Sequence, residues 1–282
     1  MYEGFYHLQV KPFQLSPDPR FFFSSQSHRR AMAYLVYGAH QGEGFIVITG
    51  EIGAGKTMLA NTLAQRLASR NLVLAQVVST QLHADDMVRM VAAAFGLPQD
   101  NSKAVLLDRV QQFLLTSSRQ GKRTLLIVDE AQNIPPSSIE ELRMLSNFVS
   151  GAKPLLQTFL LGQPEFRKTL QNPEMEQLRQ RVIASCHLGP MDSAETEAYV
   201  LHRLETAGWR GDPTFNADAF AGIHQYTGGI PRKINVLCDR LLLMGCLDES
   251  HAFTGKEVAA VIDELQEEFA PAGLRLDRQA GP

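Results

Sequence analysis

Phe45-Ile46-Val47-Ile48-Thr49 runs directly into Gly50-Glu51-Ile52-Gly53-Ala54-Gly55-Lys56-Thr57, and the fold follows from that junction. A short continuous apolar run fits a strand buried on both faces. The eight residues after it match G-x-x-x-x-G-K-[ST], the pattern of a phosphate-cradling loop between a strand and a helix. Glycines let the backbone wrap closely, so that its N–H groups point at phosphate oxygens. The following helix, expected over 56–70, turns its positive end to the same anion. Gly50, Glu51, Ile52, Gly53, Ala54, Gly55, Lys56, Thr57 and Met58 are therefore the expected nucleotide contacts. Lys56 is assigned to the β- and γ-phosphates and the Thr57 hydroxyl to Mg²⁺. A chance glycine turn would have no reason to sit between such a strand and a helix.

Further candidates lie downstream. Thr124 to Glu130 (TLLIVDE) reads as a buried strand ending in two acids, at the carboxyl edge where open α/β sheets bind ligands. Asp129 is expected to help hold Mg²⁺ and Glu130 to polarise the attacking water. The plainer alternative is a strand ending in solvated acids. Gln163, after the strand-like LLQTFLL, is placed to sense the γ-phosphate, or else belongs to a turn. Arg179 and Arg181 carry guanidinium forks suited to phosphate oxygens. One of them could act on a neighbour's nucleotide in a ring, or both lie on a solvated face. In Gly228-Gly229-Ile230-Pro231-Arg232, Pro231 marks a sharp helix start. Arg232 either reaches bound nucleotide or is a surface arginine.

Around these motifs, strand-like runs at 45–49, 72–78, 125–128, 155–161 and 182–188 alternate with helical ones. Ser27 is a candidate cap for a helix over 28–39, and Ser137 with Glu140 makes a capping-box pattern. Such alternation predicts an α/β fold: a three-layer αβα P-loop sandwich on a five-stranded parallel sheet. After 190 only helical patterns remain, near 192–207, 216–226, 231–247 and 255–269. The expected organisation is an aromatic, proline-rich arm at 1–27, a nucleotide-binding domain at 28–190, a helical lid at 191–269 and a frayed tail at 270–282. Within the arm, Phe5 and Phe13 are read as packing near the adenine or a neighbouring subunit, or as covering a core.

The chain has 282 residues and a formal net charge of −3, which argues against a uniformly basic nucleic-acid coat. Charge is unevenly spread: residues 1–190 sum to +4 and 191–282 to −7, placing a boundary near 190. Cys186, Cys238 and Cys246 form no CxxC pair and are odd in number. Buried thiols fit better than a disulfide framework or a zinc site. No run approaches the ~18–20 apolar residues of a membrane span, and the amino terminus lacks signal-peptide character. The expected location is the cytoplasm, with peripheral attachment to the inner membrane only through a partner.

Taken in order, FYHLQVKPFQLSPDPRFFF, GEIGAGKT, LLIVDEAQ, LLGQPEF, EQLRQRV and GGIPRKIN resemble an AAA+ ATPase of the general-secretion-pathway protein A type. The chain is particularly similar to the ATPases associated with exosortase A/PEP-CTERM and exopolysaccharide gene clusters. This resemblance implies ATP hydrolysis, a helical lid, homo-oligomers (ring or helical) and a protein partner in a secretion or polysaccharide-export system. By position it implies that Gln163 is the sensor 1 residue and Arg232 the sensor 2 residue. The sequence departs from the type twice. It stops at Pro282, without the membrane span and peptidoglycan-binding domain that secretion-type relatives often carry. It also has glutamine where many AAA+ proteins have asparagine or threonine. A DNA-acting ATPase of the transposition-regulator kind is the alternative; the −7 of the lid region speaks against it. No asparagine is followed by lysine, so the guanine-reading NKxD motif of GTPases is missing.

Overall fold

The computed structural model describes residues 1–68, 71–78 and 84–269. The expected tail at 270–282 lies outside the described residues. The chain divides into two units: Met1–Phe23 together with Pro190 onward, and Ser24–Gly189.

The Ser24–Gly189 unit is built on five parallel strands: β1 (Phe45–Gly50), β2 (Leu72–Val78), β3 (Arg123–Asp129), β6 (Gln157–Gly162) and β7 (Val182–Leu188). Their spatial order is β2-β3-β6-β1-β7. Between β3 and β6 the short strands β4 (Val149–Ser150) and β5 (Lys153–Pro154) form an antiparallel pair. The helices are α2 (Gln26–Gln41), α3 (Lys56–Ala68), α4 (Ala84–Ala94), α5 (Lys103–Arg119), α6 (Pro136–Leu145), α7 (Pro164–Gln171) and α8 (Glu176–Arg179).

Burial explains the apolar runs. The inner strands β1 and β6 are buried at every position, and β3 at every position after Arg123. Helices on both sheet faces leave no polar alternation to write. The outer strands β2 and β7 mix buried and exposed positions. Phe45, Val47, Leu126, Val128 and Leu160 share a core with Val88 and Val91 of α4, Leu106 and Val110 of α5, and Ile139 and Leu142 of α6. Each such side chain contributes roughly 1.5–3 kcal/mol on burial. Because all five strands are parallel, Gly50, Asp129 and Gly162 finish at the same sheet edge.

Local details differ from the sequence reading. Ser25, not Ser27, caps α2: its Oγ accepts the His28 N–H at 3.3 Å, while the Ser27 hydroxyl donates to the Gly189 carbonyl at 3.3 Å. The Ser137–Glu140 capping box does not form. Pro136 occupies the first helical position of α6 with Pro135 as cap, because proline's fixed φ suits a helix start. Glu140 pairs with Arg143 instead. The expected single helix near 174–181 is a 3₁₀ turn (Pro173–Met175) followed by the one-turn α8.

The other unit holds α1 (Tyr2–Phe5), α9 (Ser193–Thr206), α10 (Ala217–Thr227), α11 (Pro231–Leu247) and α12 (Gly255–Phe269). The two-residue strands β8 (Thr214–Phe215) and β9 (Ala252–Phe253), absent from the sequence reading, pair in parallel. Asp192 and Asn216 cap α9 and α10 by accepting N–H groups from Glu195 and Ala219. Gly229, with φ of 71°, supports the Met191 N–H on its carbonyl at 3.0 Å. A Cβ there would fall 1.9 Å from the Met191 carbonyl oxygen, so only glycine fits.

The aromatic arm expected at 1–27 packs against a core, one of its two readings, and its residues Met1–Phe23 belong to this unit. Tyr2, Tyr6, Leu8, Phe13 and Phe21 are buried in one core with Tyr199, Leu204, Leu237, Leu241 and Phe253. Phe5 stacks on His251 with ring centroids 4.7 Å apart. Phe13 is buried in this core and half-buried Phe5 packs against it, which is the core-covering reading of these rings. Arg203 of α9, 6 % exposed, ties the segment down. Its guanidinium donates to the Pro12 and Gln14 carbonyls at 2.5 and 3.2 Å and lies 4.8 Å from the centre of the Phe21 ring. Among the described residues no helix is long and apolar enough to cross a membrane.

Candidate functional site

The loop between β1 and α3 is shaped by its glycines. Gly53 and Gly55 have φ of 81° and 91°, a region that side chains disfavour. A Cβ on Gly50 would sit 2.9 Å from the Leu188 carbonyl oxygen, and one on Gly55 would sit 3.0 Å from His28 Nε2. The glycines thus let the loop backbone close against Leu188 and His28. Lys56, 7 % exposed, folds back over the loop and donates to the Gly50 and Glu51 carbonyls at 2.9 and 3.1 Å. Burial pulls its ammonium below the usual lysine pKa, against the raising influence of Glu130, Asp129 and Glu51. An incoming anion would relieve that penalty. Ala54 is buried, Glu51 and Ile52 are exposed, and Met58 is half-buried.

Thr57, in the first turn of α3, donates its hydroxyl hydrogen to Asp129 Oδ2 at 2.5 Å. Two hard oxygen ligands from distant parts of the chain thus meet at the carboxyl edge. Mg²⁺ is held by one or two carboxylates together with phosphates and waters, not by an all-protein cage. Among the described residues no cluster of three His, Cys, Asp or Glu could hold a metal by itself. The Thr57–Asp129 pair therefore fits Mg²⁺ delivered with a nucleotide.

Glu130 follows with φ of 54°, and its N–H donates to Asp129 Oδ1 at 2.9 Å. Gln163 caps α7 just beyond Gly162, which pairs with Thr49 beside the loop. Its Nε2 donates to Glu130 Oε2 at 3.3 Å. Gln132, to which the sequence reading gave no role, donates from Nε2 to the same oxygen at 2.5 Å. Its own Oε1 accepts the Gln163 N–H at 2.9 Å. The glutamine of the DEAQ stretch was visible; that its carboxamide spans two strand ends was not. His28 was also missed, for no sequence pattern links the start of α2 to the loop.

Lys56, Thr57, Asp129, Glu130 and Gln163 are therefore gathered at the edge that carries the loop, whereas Arg179 and Arg181 are not. Arg179 donates to the Leu170 and Asn172 carbonyls at 2.6 and 2.7 Å, finishing α7. Arg181 donates to Ser146 Oγ at 2.8 Å. Both precede β7, whose first residue pairs with Phe45 at the start of β1. At about 3.3 Å per residue, the length of β1 puts them roughly 16 Å from the loop of their own chain. Arg232 belongs to the other unit, exposed in the first turn of α11. A cavity of about 250 Å³ also lies at the far sheet edge, bordered by Leu72, Arg123 and Gln157. None of the nucleotide-site residues lines it.

Residues 39–170 match the family model described as the AAA domain. The chain is 37 % identical over 267 residues to the general secretion pathway protein A of Aeromonas hydrophila. That alignment covers 94 % of this chain and 48 % of the relative, so the chain spans about half the relative's length. Among solved structures, Aeropyrum pernix ORC2 in its ADPNP–ADP complexes superposes with a TM-score of 0.68 at 16 % identity, covering 91 % of this chain and 72 % of that one. Cdc6p from Pyrobaculum aerophilum gives 0.71 at 13 % identity, with 90 % and 70 % covered. The RuvB branch migration motor of Thermotoga maritima gives 0.56 at 17 %, with 84 % and 68 % covered. The fold is that of the AAA P-loop NTPases, carrying the five-stranded parallel sheet expected from the sequence.

Proposed function

We propose that the protein is a Mg²⁺-dependent ATPase that works as an oligomeric motor or switch, coupled to a protein partner in a secretion or exopolysaccharide/exosortase-type export system. The observation that carries the reading is the meeting of Lys56, Thr57, Asp129, Glu130 and Gln163 at the carboxyl edge of the sheet. Adenine over guanine follows from the missing NKxD motif. The secretion link rests on the likeness to general secretion pathway protein A; the exosortase subtype rests on the motif resemblance alone.

In this reading the residues from Gly50 to Met58 wrap the triphosphate, and Lys56 exchanges its loop carbonyls for phosphate oxygens. Thr57 and Asp129 hold Mg²⁺, which when bound neutralises charge on the β- and γ-phosphate oxygens. Glu130 orients the attacking water and accepts its proton. Gln163 acts as sensor 1. Arg232 is assigned as sensor 2 from its place in the motif order. Arg179 and Arg181, too far from their own loop, are assigned to the nucleotide of a neighbouring subunit. ADP and phosphate leave as products. The protein is placed in the cytoplasm, at the inner membrane only through its partner.

The test is phosphate release by wild type and Glu130→Gln, alongside Mg·ATP binding. The variant should bind nucleotide as wild type does and lose about 10²–10⁴-fold in turnover. Equal turnover would remove Glu130 from the mechanism. The DNA-acting alternative draws on the +4 charge of residues 1–190. It predicts duplex binding that weakens steeply with salt.

A further inference from the structure

Glu130 sits in a hydrogen-bonded frame that water activation by itself does not demand. Gln132 lies in the 3₁₀ turn Ala131–Asn133, immediately after β3. Its Nε2 donates to Glu130 Oε2 at 2.5 Å, while its Oε1 accepts the main-chain N–H of Gln163 at 2.9 Å. The Gln163 side chain adds a second donor to the same Oε2 at 3.3 Å. Both carboxamides therefore converge on one carboxylate oxygen, and neither engages Oε1.

A glutamate side chain has three rotatable bonds and in solution samples many rotamers. A catalytic group that must meet a water within hydrogen-bonding reach loses rate when it wanders. We propose that Gln132 is a positioning residue: it fastens Glu130 to the end of β6 and presents Oε1, not Oε2, to the attacking water. The role needs a group that donates on one side and accepts on the other, which a carboxamide does and a carboxylate or an alkyl chain does not. The backbone at Glu130 serves the same end. Its left-handed φ of 54° turns the side chain out of the strand line, toward the turn that carries Gln132. The inference rests on the ATPase reading above and deepens it at the same site.

The experiment measures kcat, KM for ATP and the dissociation constant for Mg·ADP in wild type, Gln132→Leu and Gln132→Glu, each also in the Glu130→Gln background. Leucine keeps the volume and removes both hydrogen bonds; glutamate keeps the shape and removes the donor. Both should lower kcat about 10-fold or more, with KM and ADP affinity within twofold of wild type. In the Glu130→Gln background neither should lower the residual rate further, since Gln132 acts through that carboxylate. Unchanged kcat in both single variants would overturn the proposal while leaving the ATPase reading intact. So would an equal loss in the Glu130→Gln background, or a parallel loss of ADP affinity, for these mark a general structural role. No turnover by well-folded wild type would overturn the ATPase reading, and this one with it.

Discussion

Replacing Lys56 by alanine should abolish most nucleotide affinity while leaving the sheet intact. The size of the effect follows from the side chain's surroundings. Its ammonium is 7 % exposed and already held by two loop carbonyls at 2.9 and 3.1 Å. The desolvation that normally offsets a charge–phosphate contact has therefore been incurred in the empty protein, as its lowered pKa reflects. Unit charges about 4 Å apart attract by about 4 kcal/mol at an effective dielectric of roughly 20, an attraction that neutral carbonyls do not supply. Exchanging two neutral carbonyl acceptors for two anionic phosphate oxygens should then contribute roughly 3–4 kcal/mol net. That corresponds to about 10²–10³ in dissociation constant. Titration calorimetry with Mg·ATPγS on both proteins reads the difference directly, with circular dichroism as a check on folding. An affinity within threefold of wild type would refute the assignment of Lys56 to the phosphates. Loss of the folded signal would instead mean that its bonds to the Gly50 and Glu51 carbonyls hold the unit together.

Two other predictions concern stability. Arg203→Met keeps an apolar stem but leaves the buried Pro12 and part-buried Gln14 carbonyls without their donor; at about 1–3 kcal/mol per unpaired buried group, it should cost roughly 1–3 kcal/mol in urea unfolding and expose residues 1–23 to proteolysis. A wild-type midpoint with an intact amino terminus would contradict the fastening role. Burial pushes the Cys186 thiol from 9.0 up to about 11, so above pH 9 the unfolded chain loses a proton that the folded chain retains. Stability should fall as pH rises through that window, by at most about 2–3 kcal/mol, and less steeply in Cys186→Ala. Identical pH slopes for the two proteins would rule out Cys186 as the source.

The amino-acid sequence by itself was enough for the β1–loop–α3 junction, because the phosphate cradle is made of contiguous residues whose backbone demands are local. Buried β1 and β6, and β3 after Arg123, were legible as apolar runs for the same reason: being covered on both faces leaves an unmistakable composition. Asp129 and Glu130 could be placed because they end such a run. Tertiary structure decided whatever depends on which distant segments meet. The strand order β2-β3-β6-β1-β7 brings Gln163 beside Glu130 and lets Gln132 bridge them, whereas chain position alone makes Gln132 one more polar residue in a turn. The same order consigns Arg179 and Arg181 to the far edge of the sheet, a consequence of β7 running parallel to β1. Phe5, Phe13 and Phe21 were recognisable as apolar rings, yet the core they pack into is completed by residues from Met191 onward, such as Tyr199 and Phe253. Hydrophobicity says that a ring will be buried; only the assembled helices say against what.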